Sequence, residues 1–204
     1  MSYLIAIGGG SGSGKTFIAN CLSSNLPHNA GILSFDNYYK DQGHLPPLER
    51  AKINYDDLAS LDVDLFLEHV EALHQGKAID VPQYDFATHT RKKETVRLEP
   101  HPYVIVEGIL VLCLIQEKTL FDFNIFVQAD DDIRLARRVL RDIKERGRKA
   151  PDIIAQYLAS VRPMHLKYVV PSKEKADFVF INNDNNGIDE VQMEKIVSRI
   201  MNLR

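Results

Sequence analysis

The chain has 204 residues, 45% of them hydrophobic and 26% charged, with 25 Lys and Arg against 28 Asp and Glu for a formal net charge of −3. A chain of this size buries about 70% of its unfolded surface without needing disulfides, and its charge balance argues against a general duplex-binding surface, which is strongly basic. No apolar run approaches the roughly 20 residues of a membrane helix, Met1 to Ile7 lacks the basic start of a secretory signal, and Cys21 and Cys113 form no CxxC pair, so free thiols and a cytoplasmic setting are expected.

Short apolar runs alternate with helix-period segments, which predicts an α/β fold built from βαβ units on a parallel sheet. The first predicted strand, Tyr3 to Ile7, runs into Gly9-Gly10-Ser11-Gly12-Ser13-Gly14-Lys15-Thr16 and then a helix over Lys15 to Asn25. This is G-x-x-x-x-G-K-[ST] between a strand and a helix: glycines let backbone N–H groups turn around phosphate oxygens, Lys15 reaches the β and γ phosphates, and the Thr16 hydroxyl suits Mg²⁺. A plain flexible Gly/Ser loop is the competing reading.

The second strand, Gly31 to Phe35, ends at Asp36, on the sheet edge where ligands bind in such folds. A carboxylate there can accept a substrate hydroxyl proton; an Asx-turn or helix cap is the alternative. A helix follows over Asp62 to Gln75. The stretch 78–98 breaks the alternation and reads as an antiparallel hairpin, with Pro82 marking an edge strand. The third strand, Tyr103 to Val106, ends at Glu107, the candidate acid for Mg²⁺, or else a turn residue. Strands over Phe123 to Val127 and Asp177 to Ile181 complete five, with helices over Asp131 to Arg146, Asp152 to Tyr168 and Asp189 to Asn202.

Arg134, Arg137, Arg138, Arg141, Arg146 and Arg148 fall within fifteen residues. Ala136, Leu140 and Ile143 form a helical stripe that predicts packing on the sheet, with Arg134, Arg138 and Arg141 on another face. A solvated, salt-bridged surface explains such charge, and Asp142 and Glu145 support that reading. Arg146-Gly147-Arg148, where the helix should break, reads instead as an arginine-bearing lid over about 141–152, since guanidinium forks match phosphate oxygens.

These motifs, together with Phe35-Asp36-Asn37-Tyr38-Tyr39, Asn54-Tyr55-Asp56, Val81-Pro82-Gln83-Tyr84-Asp85-Phe86, Thr88-His89-Thr90-Arg91-Lys92 and Val106-Glu107-Gly108-Ile109-Leu110, resemble the uridine kinase (uridine-cytidine kinase) family of P-loop nucleoside kinases over about the first 180 residues. The resemblance implies one P-loop kinase domain over 1–204: a five-stranded parallel sheet flanked by helices, with a β-hairpin insertion and the lid. It implies transfer of the γ-phosphate of ATP or GTP, with Mg²⁺, to the 5′-hydroxyl of uridine or cytidine. By position Asp36 is the base, also near the metal held by Thr16 and Glu107. Asp56 grips the ribose hydroxyls. Tyr84 and His89 read the pyrimidine, with Tyr55 and Phe86 packing on it. Arg138, Arg148 and Gln156 hold nucleoside hydroxyls, and Arg141 and Arg146 face the phosphates alongside Lys15. A homotetramer is implied, with no nucleic-acid or membrane partner.

One departure stands out: where the family continues with His-Pro, this chain has Asp57-Leu58, and the added charge of Asp57 is expected to raise the pKa of Asp36 or Asp56. The alternatives are a related kinase acting on pantothenate or ribulose phosphate, separated by the Tyr84 to His89 motif, and a non-catalytic nucleotide-binding module. A regulatory GTPase is disfavoured because no Asn-Lys-x-Asp motif occurs.

Overall fold

The computed structural model describes residues 1–50, 52–114, 120–184 and 187–203. Five strands, β1 (Tyr3–Gly8), β2 (Gly31–Ser34), β5 (Tyr103–Glu107), β6 (Phe123–Gln128) and β7 (Phe178–Ile181), form one sheet in the order β2-β5-β1-β6-β7. Every pairing within it is parallel. The two intervening strands, β3 (Ile79–Asp85) and β4 (Thr90–Leu98), pair antiparallel in a separate two-stranded sheet, the predicted hairpin. Pro82 lies on β3, which pairs with β4 alone, so it sits on an edge strand as predicted.

Strands buried on both faces explain the unbroken apolar runs. Along β1, Leu4 and Ala6 enter one core and Ile5 and Ile7 the other. The second core is covered by α1 (Lys15–Asn25), through Ile18 and Leu22, and by α5 (Glu190–Met201), through Met193, Ile196 and Ile200. The first is covered by α2 (Val63–His74), through Phe66, Val70 and Leu73, and by the hairpin's Ile79, Val81 and Tyr84. The Asp62 and Asp189 side chains cap α2 and α5 by accepting from the amides of Leu65 and Gln192.

Helix α3 (Asp131–Arg146) reverses the expected orientation. Leu140 and Ile143 are 70% and 44% exposed and Ala136 is exposed too, whereas Arg134, Arg138 and Asp142 are buried. The face turned inward lines a polar cleft instead of a core, so charge goes in and the apolar stripe goes out. Asp142 is therefore no part of a solvated surface.

The predicted helix over 152–168 is longer. It opens with Pro151 in the first turn of α4 (Ala150–Gln156), where a missing N–H costs nothing, and continues as π-helix at Tyr157–Val161 and His165–Val169, ending in a 3₁₀ turn at Lys173–Lys175. Pro163 and Pro171 each sit in the first turn after a π segment, so neither ends the run. Among the described residues no helix is long and apolar enough to cross a membrane.

Candidate active site

The loop between β1 and α1 owes its shape to its glycines. Gly12 has φ +80°, and a β-carbon there would strike the Arg134 carbonyl oxygen; Gly9, at φ +144°, would strike that of Val127. The Lys15 ammonium donates to the Gly10 carbonyl at 3.3 Å and is buried, which lowers its pKa, with Glu107 and Asp36 opposing. Ser13 holds the turn through its amide to Gly10 O at 3.0 Å, and its hydroxyl is buried without a partner. The loop is braced from behind by Arg134, 2% exposed, which donates to Asp131 at 2.6 Å, to His165 Nε2 at 3.1 Å and toward Ser11 O. Burial, then Arg134, pushes the His165 imidazole down to about 4, so it accepts as a neutral ring.

Two carboxylates meet above Lys15. Asp36 sits in the 3₁₀ turn Phe35–Tyr38 that follows β2, which ends at Ser34, one residue before the predicted end, and it lines the cleft half-buried. Glu107 closes β5 and accepts from the Ser34 hydroxyl at 2.8 Å. Burial raises the pKa of both; Lys15 and the lid arginines oppose this at Asp36, and the Asp36 charge adds to it at Glu107. Two crowded, desolvated carboxylates beside the Thr16 hydroxyl fit a divalent cation with few protein ligands, which would relieve both shifts. Among the described residues no cluster of three or more His, Cys, Asp or Glu competes for a metal.

The far wall is aromatic. Tyr39, Tyr55, Tyr84 and Phe86 pack edge to face or tilted at 5.1 to 6.3 Å, and His89 stacks on Tyr55 at 4.4 Å and 11°. His89 holds φ +55° in the hairpin turn, a costly conformation for a side-chain-bearing residue that aims its ring inward. Its Nδ1 is buried without a partner. So is the Tyr84 hydroxyl, although the Tyr55 hydroxyl lies near it and donates to Arg50 O instead. The hairpin is pinned over the site by Arg91, which donates to Asp62, Tyr38 O and Tyr39 O at 3.2 Å each.

The lid supplies the remaining wall. Arg138 donates to Ser11 Oγ at 2.9 Å and to Gln156 Oε1 at 3.2 Å, and Arg148 reaches the same Gln156 oxygen at 2.7 Å. Arg146 lies over the Phe86 ring at 4.9 Å. The turn at Gly147 is tied down: the Arg148 amide donates to Asp142 O and the Arg148 side chain to Asp142 Oδ2.

One cleft brings together Lys15, Thr16 and Ser11, the carboxylates Asp36, Asp56 and Glu107, the hairpin residues Tyr84, Phe86 and His89 with Tyr55, and Arg138, Arg141, Arg146, Arg148 and Gln156. Of the loop's predicted phosphate-binding residues, Gly9, Gly10, Gly12, Ser13 and Gly14 do not line this cleft; Gly10 lines a neighbouring cavity with Arg134 and His165. Tyr39 and Ile109 also line it, though nothing in their spacing marks them.

Asp57 does not act as expected. Its carboxylate accepts from the Ala59 amide at 2.9 Å and from the Tyr168 hydroxyl at 3.2 Å. The raised pKa of Asp56 comes from burial and then from Asp36, with Arg138 opposing, so the departure from the family pattern is absorbed by a turn and a tether.

The chain is 42% identical over 201 residues to a uridine kinase of Brevibacillus brevis, covering 98% of this chain and 92% of that one. It is 42% identical over 204 residues to a uridine kinase of Streptococcus gordonii, covering 98% and 97%. A D-glycerate 3-kinase from Cryptococcus neoformans shares the fold at a TM-score of 0.64 with 15% identity, over 92% of this chain and 88% of that one. The match to the Phosphoribulokinase / Uridine kinase family model runs over residues 4–189, taking in loop, carboxylate strands, hairpin and lid, and the chain belongs to that family.

Proposed function

We propose that the protein transfers the γ-phosphate of ATP or GTP to the 5′-hydroxyl of uridine or cytidine, giving UMP or CMP. The observation that carries this is the convergence in one cleft of a phosphate loop, a half-buried Asp36 and an aromatic wall offering two unpartnered polar atoms, Tyr84 Oη and His89 Nδ1. An unpartnered buried donor or acceptor costs about 1–3 kcal/mol, so such a pair favours a ligand that satisfies both, as a pyrimidine edge does. The full-length likeness to uridine kinases points the same way.

In this reading Tyr55 and Phe86 flank the base, and Asp56 accepts from the ribose hydroxyls, with Arg138, Arg148 and Gln156 completing the nucleoside's polar contacts. The 5′-hydroxyl then lies toward Asp36, which orients it and takes its proton late, because phosphoryl transfer passes through a loose transition state. Lys15 holds the β and γ phosphates, and Arg141 and Arg146 neutralise the charge that spreads over the transferring group. Thr16, Glu107 and Asp36 would hold Mg²⁺, which would supply charge neutralisation on the donor phosphates. The lid and hairpin meet at Arg146 and Phe86, which shields the reacting atoms from water. A cytoplasmic homo-oligomer, a tetramer by family resemblance, completes the proposal; the apolar residues left at the surface of α3 support assembly.

The test is diphosphate release from ATP or GTP with Mg²⁺. Uridine and cytidine should stimulate it, and deoxyuridine, adenosine and pantothenate should do so far less. An equal response to all of them, or none to any, rejects the assignment.

A further inference from the structure

One carboxylate has no part in the chemistry above, yet it lies directly behind the lid arginines. Asp142 is 0% exposed although it sits near the molecular surface, because the arginines themselves cover it. Arg141 donates Nε and Nη2 to its Oδ1 at 3.0 and 2.7 Å, Arg146 Nη1 lies 3.6 Å from the same oxygen, and Arg148 Nη1 donates to Oδ2 at 3.3 Å. Its main-chain carbonyl accepts from the amides of Gly147 and Arg148, closing the end of α3. Burial alone would raise its pKa, but Arg141 and Arg146 outweigh that and hold it below the ordinary range, opposite to Asp36, Asp56 and Glu107.

Arg141, Arg146 and Arg148 all line the cleft, so one anion behind the wall shares three cations with whatever anion enters in front of it. Carboxylate and phosphate oxygens compete for the same N–H donors. We propose that Asp142 is the resident counter-ion of the lid: it gathers Arg141, Arg146 and Arg148 behind the cleft wall, yields some of their donors to an arriving polyphosphate, and thereby limits how tightly that polyphosphate is held. This rests on the reading of the cleft as a triphosphate site. Asp142 is a positioning residue, acting through the arginines.

A purely structural role predicts that neutralising Asp142 loosens the lid and weakens anion binding. A counter-ion role predicts the reverse, because the guanidiniums lose their internal competitor. The probe is inorganic tripolyphosphate, titrated calorimetrically into the full-length wild type and Asp142→Asn at a matched series of ionic strengths. The counter-ion role requires at least 5-fold tighter binding by the variant, with a steeper salt dependence and a lower kcat as product leaves more slowly. Equal or weaker binding by a variant that melts like the wild type overturns the proposal. Should Asp142→Asn not fold, the wild type decides: in ¹⁵N NMR the Arg141 Nε–H signal must move when tripolyphosphate is added, and an unmoved signal overturns it. A wild type that does not bind tripolyphosphate overturns the donor-site reading, and this inference with it, whereas a failed Asp142→Asn result with normal wild-type binding leaves that reading standing.

Discussion

Replacing Asp36 by Asn removes a single charge from the most crowded part of the cleft, and three measurements should respond in different directions. A general base contributes between about 10²- and 10⁴-fold, and the lower end applies where the proton leaves late, so turnover should fall by at least ~100-fold, about 2.7 kcal/mol of barrier. Donor binding should survive, because an anion beside Lys15, Arg146 and Arg141 does nothing to attract a triphosphate. Stability should rise. Burial raises the folded-state pKa of Asp36, so its charge disfavours folding increasingly as pH rises from the ordinary aspartate value of about 3.9 through the raised one. The neutral amide escapes that penalty; a gain of about 1 kcal/mol, equal to about 2–4 °C in Tm for a chain this size, should appear at pH 8 and vanish near pH 4. Steady-state diphosphate release and calorimetric melting at the two pH values check this. Turnover within about 5-fold of wild type removes Asp36 from the mechanism, and a variant less stable than wild type at pH 8 refutes the electrostatic argument.

The remaining expectations concern other parts of the site. In the wild type, kcat/KM for uridine should be lost as pH falls, with an acid limb above the ordinary aspartate value because Asp36 and Glu107 are both raised; the limb belongs to the pair, and a higher Mg²⁺ concentration should move it downward. Asp57→Asn should leave that limb where it is, since the Asp57 carboxylate is engaged by Ala59 and Tyr168; a displaced limb would restore the charge effect expected from the sequence. Tyr84→Phe and His89→Ala should each raise KM for uridine by about 10-fold while leaving KM for ATP within 2-fold, measured in matched titrations. Gly12→Ala should abolish ATP binding by calorimetry while the sheet's circular dichroism persists, because the new methyl meets the Arg134 backbone.

Much of this site can be read along the chain because its chemistry sits at strand ends. The loop from Gly9 to Thr16 follows β1, Asp36 follows β2 and Glu107 ends β5, and a parallel sheet places all three at one edge. Helix α3 resisted the same reasoning, because periodicity reports which residues share a face and not which face turns inward; the presumption that charge faces water fails where a cleft is built to receive an anion. Asp142, read from the sequence as part of a solvated surface, is buried for a reason periodicity does not carry, since three arginines fold back over it. Pro163 lies inside the helix predicted over Asp152 to Tyr168 and Pro171 just beyond it, and what periodicity did not show is that each sits in the first turn after a π segment, where the run continues. Asp57 shows the limit of adjacency: it is next in sequence to Asp56, but its carboxylate turns away to Tyr168.

The π turns have a consequence for indexing. Gln156 meets Arg138, and His165 meets Arg134, two residues four apart on one face of α3. In an unbroken α-helix of 3.6 residues per turn, the nine positions from Gln156 to His165 span about two and a half turns and put the two side chains on opposite sides. The wider winding at Tyr157–Val161 reduces that separation, and both side chains reach α3. The segment works as a vernier: one residue inserted or deleted there would turn His165 off the back of the phosphate loop while Gln156 stayed on the lid, separating donor-side support from acceptor-side contact without touching a residue that meets substrate.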